Sequence, residues 1–197
     1  MVQVLWRRLD VPGHDACRLM ETADGYALEG CAAFVESDEI VALRYRVTCD
    51  RNWQAQRSHV VGWAGTRSIV WHIAQNHDGV WSLDGREFPE LNGCQDLDLG
   101  FTPATNLLQL RRIALKPGSA ADVPAAWLDT SSTTLMLLTQ RYARLNDRHY
   151  EYVAPATSYH AVLDVTRHGF VRTYPGLWEL ERCSEDGDCD DPEGSAP

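Results

Sequence analysis

Apolar and polar residues alternate over most of this chain, and a period of two is the signature of β-strands with one dry face. In EIVALRYRVTC, Val41, Leu43, Tyr45, Val47 and Cys49 take one side while Ala42, Arg44, Arg46 and Thr48 take the other. The same alternation runs through Tyr26, Leu28, Ala32 and Phe34, through Ile69, Trp71 and Ile73, and through Tyr159, Ala161, Leu163 and Val165. Turn signals separate these segments: Ala-Asp-Gly before Tyr26, His-Asp-Gly before Val80, Leu-Asp-Gly before Arg86 and Arg-His-Gly before Phe170. Between VWSL and REF, the pair Asp84-Gly85 suits a type I′ hairpin, because both residues tolerate positive φ. Helical period is confined to Leu107–Leu115 and to a turn that Pro124 could open in PAAWLDTS. The expected architecture is mainly β, with about ten antiparallel strands in one meandering sheet and one or two short helices. So large a sheet curls strongly, as a half-barrel or roll, and its concave apolar face offers a groove for a hydrophobic ligand.

At 197 residues the chain suits one domain, and its 44% hydrophobic content holds no run near the about 20 residues that span a bilayer. The start, MVQVLWRRLDVPG, has neither an apolar h-region nor a small-residue cleavage site, so a cytoplasmic location is expected. A net charge of -10, with no basic stripe to offset it, argues against nucleic acid as a partner. Much of that charge sits in the segment 183–197, where Glu185, Asp186, Asp188, Asp190, Asp191 and Glu193 surround glycine and proline with nothing apolar to bury. This segment is expected to be a disordered tail behind a domain of residues 1–182. The six cysteines and seven histidines show no metal-ligand spacing, so no metal or cofactor is expected, nor a disulfide between Cys183 and Cys189. GxSxG and HExxH motifs and glycine-rich phosphate loops are absent.

The least ordinary stretch is LNGCQDLDLGFTPATNLLQLRRI, from Leu91 to Ile113. On a strand, Asp96 and Asp98 project from one face roughly 7 Å apart, a separation that glycosidases use. Thr102, Pro103, Thr105 and Asn106 are turn formers whose side chains can satisfy backbone groups locally. Three readings follow. The acids could hydrolyse a glycoside or ester. They could clamp the turn by pairing with Arg111 or Arg112, which would keep both carboxylates charged. Or Asp96, Asp98, Thr102, Thr105, Asn106, Arg111 and Arg112 together could recognise a polyhydroxylated head group. Clamping ranks first, and only one of the adjacent arginines should reach the acids, because neighbours on a strand point to opposite faces. A chain that only binds a protein partner is a further alternative. Oligomeric state is not legible.

The segment CQDLDLGFTPATNLLQLRRI also resembles the signature of a bacterial family of uncharacterised proteins named for glycolipid binding. That pattern is close to Cys-x-Asp-Val-Asp-Leu followed by Thr-Pro-Phe-Thr-Asn-Thr-Leu-Pro-Ile-Arg-Arg-Leu. WRRLDVPG, GVWSLDGREFPELNGC, LLTQRYARLNDRHYEY and GFVRTYPGLWEL are similar to further blocks of that family, in the same order, up to about Glu181. Cys94, Asp96, Asp98, Thr102, Pro103, Thr105, Asn106, Arg111 and Arg112 stand where the motif has them. Ala104, Leu107, Gln109 and Leu110 replace its Phe, Thr, Pro and Ile, which implies a wider groove and a looser turn. The resemblance implies a spiral β-roll and a lipid or glycolipid-like ligand.

Overall fold

The computed structural model describes residues 1–184 of the chain. The acidic stretch beyond them, with Cys189, lies outside the described residues. Eight strands come first: β1 (Val2–Arg8), β2 (Gly13–Glu21), β3 (Gly25–Glu36), β4 (Glu39–Asp50), β5 (Ala55–Ala64), β6 (Arg67–Gln75), β7 (Trp81–Leu83) and β8 (Arg86–Phe88). A 3₁₀ turn at Pro89–Leu91 leads to β9 (Asp96–Leu99) and the helix α1 (Asn106–Ile113). Next are β10 (Ala120–Asp122), β11 (Ala125–Leu128), β12 (Met136–Leu138), β13 (Arg141–Arg144), β14 (His149–Ala154), β15 (Tyr159–Val165), β16 (Val171–Tyr174) and β17 (Trp178–Ser184).

Fourteen strands form one open antiparallel sheet in the order β10-β13-β14-β15-β16-β17-β1-β2-β3-β4-β5-β6-β7-β8. The mainly β, strongly curved sheet that the alternation predicts is therefore present, with one α-helix among the described residues. It is not a single meander. Two meanders are joined where the first and last described strands pair, with Val4 opposite Cys183 and Arg8 opposite Trp178. The strand count exceeds the expected ten because strands such as β10 and β12, with three residues each, and β11, β13 and β16, with four, are too short to display a period. At the β7–β8 hairpin, Asp84 and Gly85 have φ of 51° and 84°, as a type I′ turn requires.

The segment from Pro124 is strand, not helix. β11 pairs in parallel with β9 and antiparallel with β12, forming a second sheet of three strands. Its run Ala125-Ala126-Trp127-Leu128 is mostly buried, and a parallel partner outweighs the weak local helix signal.

The sheet curls around the stretch that follows β8. Every residue from Asp96 to Leu110 is buried except Gly100. On one side, Leu97, Leu99, Phe101, Leu107 and Leu108 join Trp6, Leu28, Leu43, Ile69 and Trp81 in a large apolar core. On the other, Leu110 packs with Val123, Tyr142, Tyr152, Leu163 and Val171 in a second. The concave face is thus filled by the chain's own interior segment along much of its length. Ala104, Leu107, Gln109 and Leu110, expected to loosen this region, are all buried.

Candidate functional site

Local backbone chemistry sets the geometry of the interior segment. Thr102 Oγ1 accepts a bond from the Ala104 amide at 3.0 Å, and Thr105 Oγ1 accepts one from the Leu99 amide at 3.3 Å. These hydroxyls fold the turn back on β9 and start α1 without a side-chain cap of its own. The helix stops where Ala114 adopts left-handed backbone, φ 42°, with Arg111 and Arg112 in its last turn.

The two acids of β9 have different fates. Arg112 Nε bonds both oxygens of Asp96, at 2.9 and 3.1 Å, and its Nη2 bonds Oδ2 again, so Asp96 is clamped by a guanidinium fork. Burial still holds the Asp96 carboxyl above its ordinary pKa, against the opposing pull of Arg112. Arg111 turns away, donating to the His168 carbonyl at 2.9 Å and lying over the Trp53 ring at 5.5 Å. One arginine of the pair reaches the acids, as expected, but the geometry is helical, and neighbours on a helix diverge by about 100°.

Asp98 has no arginine, contrary to the expectation that cations keep both acids charged. It is buried, and burial pushes its carboxyl from 3.8 to about 6, with the nearby charges of Asp129 and Asp96 adding to the rise. Gln109 Nε2 donates to its Oδ2 at 3.1 Å. A directed chain stands behind that bond: Tyr152 Oη donates to Gln140 Oε1 at 2.8 Å, and Gln140 Nε2 donates to Gln109 Oε1 at 2.9 Å. Tyr142 Oη donates to the same Gln109 oxygen at 2.7 Å and accepts from Asn106 Nδ2 at 2.7 Å. Each donor polarises the next, so the network delivers one oriented N–H to Asp98.

Asp98 lines a cavity of about 220 Å³. Thr102 and Asn106 share its wall, and Trp127, Tyr152, Tyr159, Tyr174 and Trp178 supply aromatic surface. Gly100 lies against Trp127 so closely that a Cβ there would fall 2.6 Å from the indole Nε1. Behind Thr102 sits Asp15, fully buried on β2. It accepts bonds from the Tyr45 hydroxyl at 2.8 Å and from Thr102, while its Oδ1 has no partner. Burial raises the Asp15 carboxyl to about 6.

Of the seven residues singled out in the sequence, then, Asp98, Thr102 and Asn106 meet at a cavity. Asp96 and Arg112 form the clamp, Thr105 braces the turn, and Arg111 secures the neighbouring loop. The alternation marked Tyr45 and Tyr159 but pointed to none of Asp15, Gln109, Gln140, Tyr142, Tyr152 or Tyr174. A larger depression of about 500 Å³ lies across the outer face over Leu5, Ala16 and Cys31, but it is open to solvent, and Arg18 and Glu29 beside it pair with each other.

A family model described as "Putative glycolipid-binding" matches residues 3–180. The chain belongs to this family. Among solved structures it resembles a DUF1089 family protein from Pseudomonas aeruginosa, at 27% identity over 84% of this chain and 91% of that one, with a TM-score of 0.74. It is also similar to a beta-barrel-like protein, DUF1849, from Brucella abortus, at 10% identity over 92% of this chain and 96% of that one, with a TM-score of 0.52. That second likeness concerns the fold alone. The comparison with curated proteins gave no match. Among the described residues no helix is long and apolar enough to cross a membrane, and no cluster of His, Cys, Asp and Glu is arranged to hold a metal ion.

Proposed function

We propose that the chain binds an amphiphile by its polar head group in the Asp98 cavity. The observation that carries this reading is the meeting of Asp98, Thr102 and Asn106 with five aromatic side chains around one space. Polar groups that converge inside an aromatic wall fix the orientation of a ligand while the rings supply contact area. The volume, about 220 Å³, is below the roughly 300–1,000 Å³ typical of drug-sized ligands, so a head group enters and an acyl chain stays outside. An exposed apolar residue stands near the cavity at β12. Leu138 lines the cavity, and Met136, two residues away on the same face and opposite Trp127, is exposed. The family's name agrees with a glycolipid.

Hydrolysis by the acid pair has less support, because Asp96 is held by Arg112 and only Asp98 lines the cavity. The binding reading is tested by native mass spectrometry of freshly purified protein and of the variants Tyr159→Ala and Trp127→Ala. A co-purifying amphiphile that is retained by the parent and lost from both folded variants is the expected result. Equal retention by all three would place the ligand elsewhere.

A further inference from the structure

We propose that the head group is cationic: an amino sugar or another organic ammonium. This rests on the head-group reading above and specifies its chemistry. Asp98 is a buried carboxylate with no cationic partner, and the cavity it faces is lined by no Lys, Arg or His. The two arginines of α1 are engaged elsewhere, Arg112 by Asp96 and Arg111 by the His168 carbonyl. Arg8 reaches the Trp178 ring at 5.4 Å but is paired with Asp10 at 2.8 and 3.0 Å.

Hydrogen-bonding capacity points the same way. The hydroxyl hydrogens of Thr102, Tyr152, Thr157 and Tyr159 are already donated to Asp15, Gln140, the Ala154 carbonyl and the Pro175 carbonyl. Asp98 Oδ1 receives no bond from the described residues, whereas Oδ2 has Gln109. The Trp127 and Trp178 indoles and the Asn106 amide add donors to the wall, so it is at Asp98 Oδ1 that a ligand has to bring one. A neutral sugar meets that demand but strips water from Asp98 without replacing its charge, and a buried carboxylate left uncompensated is costly. An ammonium group compensates it and gains from the surrounding rings, as quaternary ammonium ligands do in aromatic cages. An anionic head group meets the opposite field, since Asp98 and the nearby Asp129 face no free cation.

The test compares three probes by calorimetry at pH 7.5: octyl glucoside, its 2-amino-2-deoxy analogue and octyltrimethylammonium. The amino analogue is expected to bind at least tenfold more tightly than octyl glucoside. Octyltrimethylammonium shows whether charge suffices without the sugar: binding tighter than octyl glucoside supports a general ammonium site, and binding of the amino analogue alone supports an amino sugar. Asp98→Asn should abolish the preference for the amino analogue over octyl glucoside. Because that variant could fold poorly, the parent is also titrated at pH 5, where protonation of Asp98 should erase the preference. The groups facing Asp98 are Asp96, Asp129, Gln109, Tyr142, Tyr152 and Tyr174, and burial holds these tyrosines neutral throughout that range. Asp15 titrates in the same window behind Thr102, so Asp15→Asn serves as the control that should keep the preference. Equal or weaker binding of both charged probes overturns the cationic proposal and leaves the head-group reading standing. Binding of none of the three overturns both.

Discussion

At the scale of single residues, the two acids of β9 carry opposite predictions. Asp96 is almost wholly enclosed and forked by Arg112, whose own side chain is 20% exposed. Removing one member of a buried pair strands the other, at a typical cost of about 3–5 kcal/mol. Arg112→Ala should therefore destabilise the chain by about that amount in urea unfolding, and Arg111→Ala by about 1–2 kcal/mol, the worth of its carbonyl bond and ring contact. Similar losses for the two would dissolve the clamp. For Asp98 the sign reverses. A carboxyl raised from 3.8 to about 6 by folding holds its proton more tightly in the folded chain, so its stabilising contribution is full below the unfolded value and is lost as pH rises through about 6. The folded chain then carries a penalty of about 3 kcal/mol from Asp98 near pH 7. Asp98→Asn should gain on its parent by about 2–3 kcal/mol between pH 4.5 and pH 7.5, as unfolding at the two pH values would show. A difference that stays flat with pH would mean that Asp98 is ordinary. The acid pair was conspicuous in the sequence, and its unequal surroundings were not. Gln140, Tyr142 and Tyr152 come from 31 to 43 residues beyond Gln109, and no local pattern links them to it. Asp15 was hidden for another reason, since it occupies an inward position of β2 where alternation calls for an apolar residue.

At the scale of elements, legibility followed length only in part. β3, β4 and β6, with nine to twelve residues, and β15, with seven, showed their period directly; β5, the three-residue β10 and β12, and the parallel β9–β11 pairing did not. The helix was visible to within a residue or two, but not its role as the interior that the sheet wraps. Position 109 illustrates the difference. Where the resembling motif has Pro, this chain has a glutamine whose amide holds Asp98 and whose carbonyl collects two donors. Gln109→Leu leaves three buried polar groups short of a partner, each worth about 1–3 kcal/mol when stranded, so this substitution should cost at least as much as Arg112→Ala. Urea unfolding measures it, and a loss below about 1 kcal/mol would mean the network relaxes freely. At the other end of β9, Gly100→Ala has an effect on shape: its Cβ displaces Trp127 from the cavity wall. Amphiphile binding should weaken with little change in stability, since Gly100 itself is exposed.

At the scale of the whole molecule, the pairing of β1 with β17 decides whether the two meanders are one folding unit. Trp6 crosses that seam. Its indole donates to the Val171 carbonyl on β16 at 2.6 Å, and its ring meets Phe170 edge-on at 5.7 Å. The interior segment crosses it too, with Leu107 and Leu108 in one core and Leu110 in the other. Neither half can unfold without exposing the helix that the other packs on, so a single cooperative transition is expected. The chain supplies its own reporters. Trp6, Trp71, Trp81 and Trp178 belong to the first core and Trp127 packs against the second, while Tyr142, Tyr150 and Tyr152 belong to the second and Tyr45 to the first, so the two signals are weighted toward different cores. Tryptophan fluorescence and tyrosine near-ultraviolet dichroism should therefore give coincident urea curves. Trp6→Ala removes a fully buried ring at a typical cost of about 3–5 kcal/mol, and because the ring spans the seam, both curves should shift together. If the tryptophan curve moved while the tyrosine curve stayed in place, the halves would be separate units, and the Asp98 cavity, lined by residues from Asp98 to Trp178, would be lost with the second half.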